Sequence, residues 1–410
     1  MHLTDSRLGW HSGVISYNRA PLNAEGVLRM STRPLSATPA RRPDDGPART
    51  VAEFEIKHHQ YLDSVGKAIS PLPEFARVPA ELVKMYQLMT LVRTFDTKAI
   101  NLQRTGKLGT YASCLGHEAT HVGAGSALKP EDVLVPVYRE YGAQFWRGVK
   151  MSDVLLYWGG DERGNNFAGP KHDFAWCVPI GTQTLHAAGA AMAFKIRGEK
   201  RCALAFIGDG GTSEGAFYEA LNLAGARSLP VVFVIVNNKW AISVPISSQT
   251  AAATLAQKAI AAGMPGVQVD GNDIIAVRHI VSQALAIARN GGGPSLIEAI
   301  TYRLSDHTTA DDASRYRPAD EVKNAWKAEP LIRLRKYLTD AGAWNEQQEV
   351  ALKAECSKRV EAAVEEYMNT PKQPVEAMFD FLFARLPKHI EEQREQARRN
   401  ASTGGARGGH

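Results

Sequence analysis

The stretch GDGGTSEGAFYEALNLAGARSLPVVFVIVNN, residues 208–238, decides the fold of this chain. It opens on an aspartate between glycines and closes on two asparagines, and an apolar run comes before each of these polar groups. The two runs, CALAFI and VVFVIV, have the length and composition of strands buried on both faces, whereas the segment between them has helical spacing. A strand, a helix and a second strand in this order predict two parallel strands of a helix-covered sheet.

The same alternation continues on both sides of this stretch. Further strands are predicted at DVLVPV, GVQVDG and SLIEAITYR, with helices at LAQKAIAAG and IAVRHIVSQALAIARNG. A long helix is predicted from Pro79 to Gly106. The predicted fold class is therefore α/β, a mostly parallel sheet flanked by helices, with a helical C-terminal extension.

Composition divides the chain into four segments. Residues 1–50 are predicted to be a disordered N-terminal extension, and residues 51–320 to be the α/β domain. Residues 321–398 are predicted to be a helical C-terminal region and residues 399–410 a disordered tail. The arginine and serine content of the first segment also resembles an organellar transit peptide, but its acidic residues argue against that alternative.

The overall composition excludes several classes of protein. The 410 residues are 44% hydrophobic with a net charge of +5, as expected for a globular chain. No basic stripe interleaved with aromatic residues is present, so we expect no nucleic-acid partner. The sequence has no apolar run of about 20 residues and no secretory signal, and its four cysteines form no CxxC pair. We therefore expect a cytoplasmic protein with no membrane contact.

The polar groups at the two strand ends predict a ligand site. Ligands of parallel sheets bind at the carboxyl ends of the strands, so Asp209 and Asn238 are expected to point at one place. A carboxylate and an amide oxygen suit Mg²⁺ or Ca²⁺. The glycines at 208, 210 and 211 leave room for a phosphate near backbone N–H groups, and the following helix offers its positive end. The pattern predicts a metal-bound diphosphate.

Either a GDG turn or an NN pair alone is common in loops. Together, with a helix and a strand between them, they form the thiamine-diphosphate motif. The sequence resembles the alpha subunit of the decarboxylating component of 2-oxo acid dehydrogenase complexes, the family of the pyruvate and branched-chain 2-oxo acid dehydrogenases. The resemblance covers about residues 80–390 and rests on four stretches: GTYASCLGHEA, VPVYREYG, the block from GDG to NNKWAIS, and TYRLSDHTTADDASRYR.

The resemblance implies a thiamine-diphosphate-binding fold and a set of site residues. It assigns Mg²⁺ to the Asp209 carboxylate, the Asn238 side chain and the backbone carbonyl of Trp240. The cofactor's diphosphate is expected to contact Tyr138 and Arg139, whose guanidinium matches a phosphate geometrically. Ile180, in CVPIGTQ, is expected to hold the cofactor in its bent conformation. The cofactor-binding set is completed by Gly208, Gly210, Gly211, Ile242 and His307.

The stretch SDHTTADD carries the predicted catalytic residue, His307. The resemblance implies that His307 contacts the diphosphate and assists acyl transfer, and at its ordinary pKa near 6.5 an imidazole can donate a proton at neutral pH. It also implies an ordering network around this loop. Thr308 stands where mammalian members carry a regulatory phosphoserine, which makes control by a dedicated kinase doubtful. The network residues are Tyr302, Arg303, Asp311, Tyr316 and Arg317.

The implied function is oxidative decarboxylation of a 2-oxo acid, followed by acyl transfer to the lipoyl domain of a partner acyltransferase. The glutamate that activates the cofactor belongs to the family's beta subunit, and no stretch of this chain matches its motif. We therefore expect an α₂β₂ heterotetramer with thiamine diphosphate between subunits. Pyruvate is the favoured substrate, ahead of branched-chain 2-oxo acids and acetoin, because VPIGTQ and its neighbouring motifs resemble bacterial pyruvate dehydrogenases.

Two interpretations from other classes are open at this point. A non-catalytic scaffold would have lost one of Asp209, Asn238 or His307, and all three are present. A nicotinamide-dependent enzyme would need GxGxxG after a first strand with an acidic residue about twenty positions later, and no such stretch is present.

Overall fold

The computed structural model describes residues 51–404. The predicted disordered extension, residues 1–50, lies outside the described residues, as do residues 405–410 of the predicted tail. Residues 399–404 of that tail belong to a helix that runs from Lys388 to Gly404. The helical C-terminal region thus extends beyond the boundary at residue 398 that the sequence suggested.

Six parallel strands form the main sheet. A short antiparallel hairpin of two further strands follows the fourth strand in sequence. In spatial order the sheet is β1-β7-β8-β4-β3-β2. In chain order the strands are β1 (His58–His59), β2 (Val133–Val135), β3 (Ala203–Gly208), β4 (Val231–Asn237), β5 (Trp240–Ala241), β6 (Val244–Pro245), β7 (Gly266–Asp270) and β8 (Ser295–Ile300).

The five strands predicted from the sequence are β2, β3, β4, β7 and β8, and the prediction of a parallel α/β sheet is confirmed. β2 ends before Pro136 because proline has no N–H to donate to a neighbouring strand. The strands that the sequence did not reveal, β1, β5 and β6, are two residues long each. Two residues are too few to produce the alternation by which a strand is recognised.

Helices cover the sheet on both sides. Their bounds are α1 (Pro79–Arg104), α2 (Glu118–Ala127), α3 (Tyr141–Trp146), α4 (Met151–Trp158), α5 (Thr182–Arg197), α6 (Gly215–Arg227), α7 (Ile246–Gln249), α8 (Lys258–Ala261), α9 (Ile274–Arg289), α10 (Ala319–Trp326), α11 (Pro330–Asp340), α12 (Glu346–Met368), α13 (Ala377–Asp380) and α14 (Lys388–Gly404). The predicted helix LAQKAIAAG is shorter than expected, because Leu255–Gln257 form a 3₁₀ turn before α8.

Alternation within the strands divides the core into two layers. In β4, Phe233 and Ile235 pack with α5 and α6, whereas Val232 and Val234 pack with α2 and α9. All four side chains are fully buried, which is why this strand is apolar at every position before Asn237 at its end. The continuous apolar run predicted a strand that is buried on both faces, and the structure shows such a strand.

The C-terminal helices share a core with α1. Leu334 of α11 and Val360 of α12 belong to the same buried cluster as Met85, Met89 and Val92 of α1. Helices α11 and α12 therefore pack against α1 and stabilise it. No helix within residues 51–404 is both long enough and apolar enough to cross a membrane.

Candidate active site

A cavity of about 500 Å³ opens at the carboxyl ends of β2, β3 and β4. Its volume is within the usual range for small-molecule sites. The pairing of Gly208 with Val236 places the end of β3 beside the end of β4. Every residue predicted from the sequence to bind cofactor or metal lines this cavity: Tyr138, Arg139, Ile180, Gly208, Asp209, Gly210, Gly211, Asn238, Trp240, Ile242 and His307.

Asp209 lies at the floor of the cavity, where β3 ends. Its side chain is only 1% exposed, and burial raises the pKa of its carboxyl group above the ordinary value. The Gln249 amide opposes this shift by donating a hydrogen bond of 2.8 Å to Asp209 Oδ2, and the backbone N–H of Asn238 acts in the same direction. A buried carboxylate supported mainly by neutral donors is a favourable place for a cation.

Asn238 and Trp240 lie beside Asp209, at the end of β4. The Asn238 Oδ1 atom accepts a hydrogen bond of 3.2 Å from the Trp240 N–H, and the Trp240 carbonyl accepts one of 3.2 Å from Arg303. The floor therefore offers a carboxylate, an amide oxygen and a backbone carbonyl. These donors fit Mg²⁺, which takes oxygen ligands.

The three glycines of the GDGG turn differ in how closely their surroundings are packed. A Cβ atom on Gly210 would lie 2.5 Å from the Ala241 Cβ, and one on Gly211 would lie 2.7 Å from Ile207 Cγ1. A Cβ on Gly208 would meet no atom within 4 Å. Only Gly208 thus leaves open space toward the cavity, whereas the other two glycines are required by close packing. All three glycines line the cavity, and their approach to a phosphate stays a prediction.

Arg139 forms one wall of the cavity, just beyond β2. Its guanidinium group donates hydrogen bonds to the Ser113 carbonyl and, at 2.9 Å, to the His307 carbonyl. It also lies over the Tyr138 ring, with 5.3 Å between the guanidinium carbon and the ring centroid. A buried arginine held by carbonyl groups keeps its full charge, so this wall presents a fixed cation to the cavity.

His307 lies against two arginines. Its Nδ1 atom is 3.3 Å from Arg139 Nη2 and 3.5 Å from Arg303 Nη1. Burial, followed by the charges of Arg139 and Arg303, lowers the pKa of His307 to about 3. The imidazole is therefore neutral at pH 7 in the cofactor-free chain. This shift was not predicted from the sequence, because burial of the loop and the approach of Arg139, 168 residues away, arise only through folding.

The loop of His307 is held by the predicted network. The His307 backbone N–H donates to Asp311 Oδ2 at 2.8 Å, and the Tyr316 hydroxyl donates to the same carboxylate oxygen. Arg303 donates to the Tyr316 hydroxyl at 2.9 Å, and Arg317 donates to the Arg303 carbonyl. Tyr302 joins the group through its ring, which lies beneath the Arg317 guanidinium.

The mouth of the cavity is apolar and open. Val178, Ile180 and Ile242 are 51%, 43% and 55% exposed, although all three are large aliphatic residues. Ile242 also has a φ of 54°, a left-handed conformation that a β-branched residue adopts only at a cost. Exposed apolar side chains at the entrance of a site indicate a surface that another molecule covers.

Comparison with known proteins agrees with this geometry. The family model described as "Dehydrogenase E1 component" matches residues 86–376. The chain belongs to this family. Its 3-methyl-2-oxobutanoate dehydrogenase subunit alpha relative from Mycobacterium tuberculosis (strain H37Rv) is 44% identical over 323 residues, covering 78% of this chain and 88% of the relative.

Two further relatives are named as pyruvate dehydrogenase E1 component subunit alpha. The relatives from Staphylococcus epidermidis (strain ATCC 12228) and Staphylococcus aureus (strain COL) are each 40% identical over 349 residues, covering 84% of this chain and 93% of the relative. Membership of the dehydrogenase E1 family confirms the resemblance drawn from the motifs. Thiamine diphosphate is the cofactor that this membership implies.

Several cavity residues were not identified from the sequence. Glu140, next to Arg139, is buried, and its Oε2 atom accepts from the Val137 N–H at 2.8 Å. Gln249, the last residue of the short helix α7, is not part of the lining but contacts Asp209 from a stretch that carries no recognisable pattern. Four more line the cavity: His117, His121, Trp158 and Gln183. Of these, His117 lies within the quoted stretch GTYASCLGHEA and Gln183 within CVPIGTQ, so the resemblance indicated their position without a role.

Proposed function

We propose that this chain is the alpha subunit of a 2-oxo acid dehydrogenase that oxidatively decarboxylates pyruvate. Its partners are a beta subunit, in an α₂β₂ heterotetramer, and the lipoyl domain of an acyltransferase that accepts the acyl group. The observation that carries the proposal is the cavity floor, where Asp209, Asn238 and the Trp240 carbonyl converge opposite Arg139. A cytoplasmic location follows from the soluble partners of this reaction.

The floor and wall residues have distinct roles in holding the cofactor. Asp209, Asn238 and the Trp240 carbonyl would bind Mg²⁺, and Tyr138, Arg139 and His307 would bind the diphosphate. When bound there, thiamine diphosphate supplies the nucleophilic carbon for decarboxylation. Ile180 would support the bent cofactor from the mouth of the cavity. The chain's own contribution is therefore to anchor and orient the charged end of the cofactor.

Anion binding also changes the state of His307. In the cofactor-free chain burial, and after it the charges of Arg139 and Arg303, lower the pKa of His307 and keep the imidazole neutral. A diphosphate bound in the cavity beside His307 and Arg139 would offset the arginine charges and stabilise the protonated imidazole. His307 would then be able to donate a proton to a lipoyl sulfur during acyl transfer. This coupling makes the predicted catalytic role depend on the presence of the cofactor.

The cavity lacks a carboxylate suited to activating the cofactor. Glu140 is buried and bonded to backbone N–H groups of its own loop, namely those of Val137 and Arg139. Glu214 also lines the cavity but is exposed at the start of α6. We therefore assign the activating glutamate to the beta subunit, whose natural place is over the apolar mouth formed by Val178, Ile180 and Ile242.

A branched-chain 2-oxo acid is the second candidate substrate. The observation that favours it is the M. tuberculosis relative, which is named for 3-methyl-2-oxobutanoate and is more identical, at 44%, than the pyruvate dehydrogenase relatives, at 40%. Both substrates share the 2-oxo acid group that reacts, and they differ only in the size of the apolar side chain. The pocket walls that discriminate between these side-chain sizes would include surfaces of the beta subunit.

One reconstitution experiment tests these proposals together. The alpha chain is assayed alone and with its beta subunit, using pyruvate and 3-methyl-2-oxobutanoate at equal concentrations. We expect no decarboxylation by alpha alone and faster turnover of pyruvate by the assembly. Turnover by alpha alone, in a sample shown by mass spectrometry to lack beta, would contradict the half-site proposal. Faster turnover of 3-methyl-2-oxobutanoate would replace pyruvate by the branched-chain substrate.

A further inference from the structure

Two buried histidines of the cavity have no assigned role. His117 is the residue before α2 and His121 lies in its first turn, so the two are one helical turn apart. Both are 0% exposed, and all four ring nitrogens lack a hydrogen-bond partner in the described structure. Leaving such polar atoms unpaired in the interior is costly, so they point to a ligand that belongs between them.

The diphosphate and magnesium groups do not account for these histidines. In the proposed function, Mg²⁺ is held by oxygen donors of Asp209, Asn238 and Trp240, and the diphosphate is held by Tyr138, Arg139 and His307. His117 and His121 lie instead on the inner wall with Gln183, whose Oε1 atom is also buried and unpartnered. His117, His121 and Gln183 therefore form a second polar cluster in the same cavity, on its inner wall.

The two imidazoles are in the state and geometry of metal ligands. Burial lowers the pKa of His117 well below its ordinary value and that of His121 to about 3, so both rings are neutral. Their ring centroids are 5.5 Å apart. Two imidazoles bound to one tetrahedral ion, with metal–nitrogen distances of about 2.0–2.1 Å, have centroids roughly 5 Å apart. A single ion fits between them with little movement.

The local sequence is HEATH, residues 117–121, which matches the HExxH pattern of zinc hydrolases. The structure argues against hydrolysis, because Glu118 faces away from the pair. Its carboxylate receives Arg93 Nε at 2.5 Å and the Gly116 N–H at 2.9 Å, so it is not free to act as a base. Within residues 51–404, no cluster of three or more His, Cys, Asp or Glu side chains suits a metal.

We propose that His117 and His121 form a two-nitrogen binding site for a divalent transition-metal ion of the zinc type. Water fills the remaining coordination positions, since the protein supplies two ligands. Imidazole nitrogen suits such ions, whereas the oxygen donors at Asp209 and Asn238 suit Mg²⁺. The positive charges of Arg139 and Arg303 weaken the site, so we expect reversible binding and a metal-free state whenever the ion is scarce.

Cobalt titration of the α₂β₂ assembly tests this proposal without relying on activity. The assembly is stripped of thiamine diphosphate and metals, saturated with Mg²⁺ to fill the oxygen site, and titrated with Co²⁺. A tetrahedral nitrogen site produces intense visible absorption, whereas an octahedral oxygen site absorbs weakly. We expect one intensely absorbing Co²⁺ per alpha chain, displaced by one equivalent of Zn²⁺.

Matched variants locate the ion. His117→Gln and His121→Gln keep polar side chains at both positions, and each is expected to weaken Co²⁺ binding at least tenfold. His172→Gln changes an exposed histidine and is expected to bind as the wild type does. Unchanged binding in both buried variants, or no intense absorption in the wild type, would overturn the proposal.

A crystallographic measurement covers the case in which a variant fails to fold. Crystals of the wild-type assembly are soaked in Zn²⁺ and measured on both sides of the zinc absorption edge. An anomalous peak between the two imidazole rings is the expected result. Ordered water between the rings, with no anomalous signal, would show that these histidines hold solvent only and would also overturn the proposal.

Discussion

The floor and the mouth of the cavity differ in how complete they are. At the floor, Asp209 and Arg139 are buried and bonded within the chain, and Gln249 supports the carboxylate directly. At the mouth, Ile180 and Ile242 are about half exposed, and no element within residues 51–404 covers them. Anchoring of the charged end of the cofactor is thus a property of one chain, whereas enclosure of its reactive end depends on a second chain. His307 lies where the two regions meet.

The largest effect is expected from a substitution at the floor of the cavity. Asp209→Ala removes the only charged donor of the proposed Mg²⁺ set, so thiamine diphosphate affinity is expected to fall by on the order of 100-fold or more. Isothermal calorimetry on the α₂β₂ assembly with Mg²⁺ measures this loss. Asp340→Ala, which removes an exposed carboxylate paired with Lys336, serves as the matched control. Affinity of the Asp209 variant equal to the control would show that the metal lies elsewhere.

The second effect concerns the inner wall of the cavity, where His121 is buried. The pKa of His121 is about 3 in the folded chain and near 6.5 when unfolded, so the unfolded state binds the proton first. The contribution of this neutral histidine to stability is present above pH 6.5 and is lost as the pH falls below it. Between pH 7 and pH 5 this loss amounts to about 2 kcal/mol.

Urea unfolding of metal-free alpha chain at these two pH values measures the His121 effect. His121→Gln cannot titrate, so its free energy of unfolding is expected to fall less between pH 7 and pH 5 than that of the wild type. The exposed-site variant His172→Gln is expected to follow the wild type. Identical pH dependence in the His121 variant and the wild type would contradict the buried neutral state.

The third effect concerns His307, which lies between the floor and the mouth of the cavity. His307→Asn keeps a hydrogen-bond donor but cannot titrate, so cofactor binding and decarboxylation with an artificial electron acceptor are expected to be largely retained. Reductive acylation of a lipoyl domain is expected to fall about tenfold or more relative to that first assay, as for loss of a general acid. Equal losses in both assays would instead make His307 chiefly a diphosphate anchor.

The smallest effect is expected from a substitution at the mouth of the cavity. Ile242 has a φ of 54°, and Ile242→Gly removes the steric cost of this conformation, about 1–2 kcal/mol, while adding chain entropy to the unfolded state. We expect a net stabilisation of alpha alone of about 1 kcal/mol or less. Assembly with beta, measured by analytical ultracentrifugation, is expected to weaken slightly because apolar surface is lost. Stronger assembly would argue against a partner at this surface.

Much of the site could be predicted because its chemistry is local in sequence. The GDG turn and the NN pair end apolar runs, and the carboxyl ends of parallel strands lie at one edge of a sheet. This was enough to bring Asp209 and Asn238 together. Gln249 was not predictable, because one glutamine in the four-residue helix α7 has no periodicity or motif, and only the path of the chain after the β5–β6 hairpin brings it to Asp209.

The sequence by itself determined the fold class and the family, and it predicted the residues that are proposed to surround the cofactor. The parallel sheet, its buried faces and the proposed metal donors follow from short patterns whose physics is local, whereas the strand order was known only from the structure. Tertiary structure alone decided the protonation of His307, since Arg139 and Arg303 converge on its ring from separate strand ends. It also decided that His117 and His121 are buried without partners. Burial and the charge of distant neighbours are properties of three-dimensional proximity, which no local pattern of residues records.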